Sequence, residues 1–121
     1  MRIRFKPWAR PELEASAFYI DNPQDYKNKW KNLYKNENSF HVELGCGKGN
    51  FISNLAVKNN DINYLAVDLV DAMLGLAKRN IEQIYKNENK EIDNVYLTRF
   101  DIERIFEILG KEDKVERIYI N

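Results

Sequence analysis

From residue 39 onward, short apolar runs alternate with amphipathic stretches. Ser-Phe-His-Val-Glu-Leu over 39–44 predicts a short buried strand. Phe51, Ile52, Leu55 and Ala56 give a helix over 50–59 its apolar face, and a second strand is expected over 62–67. Met73, Leu74, Ala77, Ile81 and Ile84 recur at helical spacing after Asp71, which suits an N-cap. The stretch 86–93 is charged and Asn-rich and reads as a solvent loop. A third strand is expected over 94–99, a short helix over 102–109 ending at Gly110 as a C-cap, and a fourth strand over 115–120. Strand and helix in alternation imply a parallel sheet with right-handed crossovers.

The chain divides near residue 38 into a basic N-terminal segment, 1–38, and the alternating region, 39–121. In the first segment Asn22 suits an N-cap, Pro23 the first helical position, and Asp25 falls three residues after the cap. Tyr26, Trp30, Leu33 and Tyr34 would share one face of the helix that follows, as packing rather than as a binding box.

The junction of the first strand and first helix carries the chemistry. Glu43-Leu-Gly-Cys-Gly-Lys-Gly49 places an acid at a strand end and three glycines at alternate positions before a helix. Glycine permits positive φ and lets a ligand approach the backbone closely. Twenty-five positions after Glu43, Asp68 ends the second strand, where a carboxylate can accept hydrogen bonds from ribose hydroxyls. The dinucleotide fingerprint G-x-G-x-x-G is not matched, because the third glycine is one place early; the P-loop pattern fails because Gly49 follows Lys48. S-adenosylmethionine has a ribose and an adenine, no phosphate, and an ammonium that an acid near the turn can hold. Glu43, Gly45, Gly47 and Asp68 suit it better than they suit a dinucleotide. Asp101, just past the third strand, lies on the same sheet edge and can accept from an exocyclic amine or cap the following helix. A glycine turn with no ligand is the plain alternative. So is a nicotinamide-dependent oxidoreductase with the same layout, and so is a non-catalytic nucleotide- or RNA-binding module.

Composition narrows the classes. Hydrophobic residues make up 44% and charged residues 31% of 121, a globular composition, and no apolar run approaches a membrane span. The lone cysteine, Cys46, rules out an intramolecular disulfide, favours a cytoplasmic location and reads as a small filler of the turn. His41, the only histidine, is expected to be structural, and no cluster has metal-ligand spacing. The net charge is zero, yet residues 1–38 hold eight Lys/Arg against five Asp/Glu. Arg2, Arg4, Lys6 and Arg10, interleaved with Phe5 and Trp8, are candidates for RNA contact, with Lys27, Lys29 and Lys31 beside them; a solvated terminus is the competing reading.

The Glu43–Gly49 turn resembles motif I of class I S-adenosylmethionine-dependent methyltransferases. More narrowly, the chain resembles the N-terminal half of the bacterial tRNA (guanine-N(7)-)-methyltransferases. The resemblance is carried by the start Met1 to Trp8, by Asn22-Pro-Gln-Asp-Tyr-Lys-Asn-Lys-Trp30, by 43–52, by Asp61 to Asp68 and by Val115 to Asn121. It implies a Rossmann-like class I methyltransferase fold and methylation of guanine N7 in the tRNA variable loop, with S-adenosyl-L-methionine as cofactor and tRNA as partner. Glu43, Asp68 and Asp101 would contact the cofactor. The family often carries Glu where Asp68 stands, so a shorter Asp implies a longer or water-bridged ribose contact. The family's next motif, an aromatic residue, an Asp that serves its site, and a Pro-Trp pair, follows the position of Asn121. On this resemblance the chain is expected to be truncated after the fourth parallel strand, to retain most of the cofactor half and to lack competent catalysis, with an exposed apolar sheet edge.

Overall fold

A computed structural model of the chain describes residues 4–120. Its centre is a five-stranded, wholly parallel sheet in the order β1-β4-β3-β2-β5. The strands are β1 (Tyr19–Ile20), β2 (Ser39–Leu44), β3 (Ile62–Asp68), β4 (Val95–Arg99) and β5 (Val115–Ile120). The helices are α1 (Ala9–Glu14), α2 (Lys31–Tyr34), α3 (Asn50–Lys58) and α4 (Asp71–Asn87). The chain steps outward from β2 through β3 to β4 and then returns to the other side of β2 as β5. That reversal creates a switch point at the carboxyl end of β2, where open α/β sheets bind ligands.

Alternation along the strands divides the core. Phe40, Val42, Leu65 and Val67 face Trp30, Tyr34 and Ile108 on one side. On the other, Tyr64 and Ala66 join Ile52, Ala56, Leu74, Ala77 and Ile81 from α3 and α4. The N-terminal segment and the alternating region therefore pack on one sheet. Among the described residues no helix is long and apolar enough to cross a membrane.

Four local expectations change. A fifth strand, β1, and helix α1 were not signalled by the sequence pattern; β1 is fixed by pairing Tyr19 with Leu97 and Ile20 with Thr98. The single helix expected after Asn22 is instead a 3-10 turn over Pro23–Tyr26 followed by α2. Asn22 gives no cap; its amide donates to Asp25 instead. The break falls at Asn28, with φ 66°. It is held open by Asp113, whose buried carboxylate accepts from the backbone N–H of Asn28 (2.8 Å), Trp30 (3.2 Å) and Gly110 (2.7 Å). Three N–H donors on one carboxylate outweigh local helix propensity. The helix expected over 102–109 is a 3-10 turn, Ile102–Glu107, and Gly110 has an extended φ of −128°, opening a further turn rather than ending a helix. Asp71 is the first residue of α4, not its cap, and its carboxylate pairs with arginines instead.

Candidate functional site

The carboxyl ends of β2, β3 and β4 bring Glu43, the glycine turn, Asp68 and Asp101 to one edge of the sheet. Strand β2 lies in register with β3, Glu43 opposite Ala66 and Leu44 opposite Val67. The turn then folds back onto β3: the N–H groups of Gly45 and Cys46 both donate to the Val67 carbonyl, at 2.8 and 3.1 Å. Gly45, Gly47 and Gly49 all have positive φ. Two of them are glycine for different reasons. At Gly49 (φ 80°) a Cβ would stand 2.7 Å from the Cβ of Ala77, so α4 packs against the bare backbone of the turn. At Gly47 (φ 55°) a Cβ would meet nothing within 4 Å, so the backbone faces open space there. Bare backbone of this kind leaves space for close approach by another molecule.

Asp68 ties the pieces together. One carboxylate oxygen accepts from the Gly47 N–H at 2.8 Å and the other from the Val70 N–H at 3.0 Å. Its backbone carbonyl accepts from the Phe100 N–H at 3.0 Å, linking the end of β3 to that of β4. A carboxylate has about four acceptor positions, so two protein donors leave room for hydroxyl donors from a ligand. Asp101 caps the turn that follows β4, accepting from the Glu103 N–H at 3.0 Å, and stays partly exposed. Glu43 is fully buried at the end of β2.

Cys46 is buried within the turn. Burial, with the neighbouring Asp68 and Glu43 charges, raises its thiol well above the ordinary range, which keeps it protonated and suits a filler rather than a nucleophile. His41 lies two residues before Glu43, edge-on to the Tyr64 ring at a centroid distance of 5.7 Å. Burial and the nearby Arg117 charge lower its pKa, so it is a neutral core residue at pH 7. Among the described residues no group of acids, histidines or cysteines could hold a metal.

Two residues of this edge were missed by sequence reasoning. Leu69 and Ile102 directly follow Asp68 and Asp101, and they remain 47% and 39% exposed although apolar. They give the acidic edge two hydrophobic surfaces suited to the faces of a flat ring. The signal was present as the residue after each strand-end acid, but an isolated Leu or Ile carries no periodicity.

The basic candidates separate. Arg2 lies outside the described residues. Arg10 is engaged: its Nε and Nη2 donate to one oxygen of Asp71 at 2.9 and 2.8 Å. Arg4 is exposed and Lys6 half-buried, and Lys27, Lys29 and Lys31 are exposed on the far side of β1 in sequence.

Comparison with known proteins bears on this arrangement. The family described as "Putative methyltransferase" matches residues 37–121. The chain is 54% identical over 121 residues to the tRNA (guanine-N(7)-)-methyltransferase of Clostridium beijerinckii, covering 100% of this chain and 55% of that protein. The protein of the same name from Ruminiclostridium cellulolyticum is 52% identical over 122 residues, with 100% and 52% covered. The chain thus spans about half the length of the curated relatives it matches. A solved structure described as "Structure of an Antibiotic Related Methyltransferase" superposes with a TM-score of 0.56 over 80% of this chain and 45% of that one, at 22% identity, which supports the Rossmann-like fold. A glycine turn at the switch point, an acid closing the next strand and a family match over the whole alternating region agree, and the chain belongs to the putative methyltransferase family.

Proposed function

We propose that this chain is the cofactor-binding part of a protein that transfers a methyl group from S-adenosyl-L-methionine to N7 of a guanine in the variable loop of tRNA, in the cytoplasm, and that residues 1–121 alone do not complete the reaction. Family membership implies a methyl donor. The observation that carries the choice of donor is the pair formed by the open Gly47 backbone and the Asp68 carboxylate bonded to it at 2.8 Å. The same edge supplies acids and apolar surface in the order such a cofactor needs. Asp68 would accept from the ribose hydroxyls, and Leu69 and Ile102 would cover the adenine faces. Asp101 would accept from the exocyclic amine, and Glu43 would set a negative potential beside the turn for the ammonium. The choice of RNA rests on the relatives' name together with the basic N-terminal segment.

When bound, the cofactor supplies an electrophilic methyl group on a sulfonium. The demands on the chain's own residues are then modest. N7 of guanine has an in-plane lone pair and no proton to lose, so no side-chain base is needed. The protein's work is alignment and electrostatic support. A buried, neutral His41 and a protonated Cys46 fit that requirement, since neither is set up to remove a proton. The turn's rigidity contributes directly: Gly45 and Cys46 are pinned to Val67, and Gly47 to Asp68, before any ligand arrives.

Calorimetric titration of the chain with S-adenosylhomocysteine and, separately, NADH tests the cofactor reading. Binding of the first and not the second is expected, and Asp68→Asn should weaken it at least about tenfold through loss of charge-assisted hydrogen bonds. NADH binding alone would overturn the reading in favour of an oxidoreductase. Formation of 7-methylguanosine in a transcribed tRNA, read by nucleoside mass spectrometry with the whole protein, tests the substrate.

A further inference from the structure

A groove of about 410 Å³ opens at the end of β3, lined by Arg4 and Phe5 from the N-terminal segment and by Leu69, Val70 and Arg99. Its composition is unlike that of the cofactor edge next to it. Phe5 is 79% exposed, an aromatic ring with a free face. Arg4 is exposed, and the side chain of Arg99 is 43% exposed. The one acid in the groove, Asp71, is already matched: Arg10 reaches one of its oxygens through two donors, and Arg99 Nε stands 3.5 Å from the other. Arg10 and Arg99 thus share one aspartate, and Arg4, the other arginine lining the groove, adds a further positive charge. At the adjoining strand ends, both oxygens of Asp68 and one of Asp101 accept from backbone N–H groups.

An exposed ring in a groove shared with two part-exposed arginines is poorly suited to protein packing and well suited to a nucleotide. Base–aromatic stacking tolerates any base, and guanidinium groups bind phosphate in a bidentate manner. Leu69 and Val70 line the same groove as Phe5, so a base entering it meets apolar surface from both segments. Leu69 also belongs to the cofactor edge, so an occupant would lie next to the cofactor and not at a remote surface.

We propose that this groove is a subsite for one unpaired nucleotide of the RNA, with its base stacked on Phe5 and its phosphate held between Arg4 and Arg99. The inference rests on the RNA-methylating reading and adds a place and a chemistry to it. The groove would hold a nucleotide flanking the target guanine, splayed from the stack so that the target itself can reach the methyl donor. The site takes single-stranded nucleic acid, because a paired base cannot present both faces to Phe5 and Leu69.

The test uses the full chain with a 4-thiouridine-substituted tRNA transcript. Ultraviolet crosslinking followed by tryptic mass spectrometry should place RNA at Phe5 or its neighbours within the peptide spanning residues 5–27, because Pro7 and Pro11 block cleavage after Lys6 and Arg10. Phe5→Ala should raise the Kd for tRNA roughly tenfold, and Arg4→Gln should reduce the slope of log K against log salt by roughly one. Affinity for S-adenosylhomocysteine should stay unchanged in both, which also reports that the domain is folded. If the wild-type chain binds tRNA and both variants bind it equally well with no crosslink to that peptide, the subsite is wrong and the RNA reading survives. If the wild-type chain binds no RNA even at low salt while binding the cofactor, the RNA reading fails and the subsite fails with it.

Discussion

At one edge of the sheet β1 is two residues long and packs with the rest of the N-terminal segment; at the other, β5 runs for six residues and has, among the described residues, one neighbour, β2. The first edge is closed from several directions. Leu97 N–H donates to the Phe18 carbonyl at 2.9 Å and the Thr98 hydroxyl to the Ile20 carbonyl at 2.6 Å. Helix α1 then packs on α4 through Ala9 against Gly75, Arg10 with Asp71, Glu12 with Arg79 and Lys78, and the Arg79 guanidinium 3.5 Å above the Trp8 ring. The second edge leaves Ile120 76% exposed, beside a 79% exposed Phe106 and a half-exposed Ile118. A short edge strand under cover is protected against pairing with another chain, and a longer apolar one is a template for it. The N-terminal segment is therefore part of the sheet domain's own closure.

The largest effect should come from Trp30. Its ring is fully buried against the β2–β3 face and its indole N–H donates to the Ile108 carbonyl at 2.7 Å. Trp30→Ala should cost about 3–5 kcal/mol in urea unfolding. A cost below about 1 kcal/mol, the level of ordinary surface changes, would mean that residues 17–38 are an appendage and would break the comparison.

Gly75→Ala sharpens it, because the two possible arrangements predict opposite signs. Alanine is better than glycine inside a helix by about 1 kcal/mol. A Cβ at Gly75, however, would stand 2.9 Å from both the Ala9 Cβ and the Trp8 ring. With α1 seated on α4, overpacking of about 1–3 kcal/mol should outweigh the propensity gain and destabilise the chain. A stabilised variant would mean that α1 leaves α4 in solution.

What the sequence disclosed and what it hid follow the range of the interactions. The glycine turn, Asp68 and the alternation over 39–120 were legible because each is local: a two-residue period, a 3.6-residue period, or a strand–turn–helix junction. The three strand ends that carry Glu43, Asp68 and Asp101 could be placed on one edge by topology alone. The hidden features depend on distant partners. Strand β1 is too short for any period and exists because β4, 78 residues on, offers it a partner. Asp113 breaks the expected helix at Asn28 from 85 residues away, and Arg10 meets Asp71 across 61. Nothing near those residues in sequence announces the pairing, so Arg10 read as a free cation and Asp71 as a cap.

The ion pairs of α1 should contribute least among the contacts that close the β1 edge. Glu12 accepts from Arg79 at 2.8 and 2.9 Å and from Lys78 at 3.3 Å, and these bonds, Arg79's first, lower its pKa from 4.5 to about 2. A carboxylate depressed in the folded state contributes stability that is fully present above pH 4.5 and is lost as pH falls from there toward about 2. Arg79, the partner with the strongest bonds, is half exposed, and Glu12 itself reaches solvent, so Glu12→Gln should cost at most about 1 kcal/mol at neutral pH. The variant's stability should converge with that of the wild type as acid is added. A difference that persists at pH 2 would assign the loss to packing rather than charge.

The open edge gives the smallest change in stability and the clearest test of the contrast. Ile120 contributes little to the core because most of its surface already meets solvent, so Ile120→Lys should shift unfolding by no more than about 0.5 kcal/mol. Its effect should appear in association instead. A lysine at the end of β5 places charge on the strand that another chain would have to pair with, which is how natural edges resist pairing. Sedimentation velocity of a polypeptide of residues 1–121 across a range of concentrations should show self-association, weakened in Ile120→Lys and further weakened when Ile118→Lys is added. The two edges differ in this assay only if β5 is the sticky one: a lysine at the exposed Glu14, beside β1, should leave association untouched. If Glu14→Lys lowers association as much as Ile120→Lys, then net charge and not edge geometry governs it, and the contrast between a covered and an uncovered edge loses its physical content.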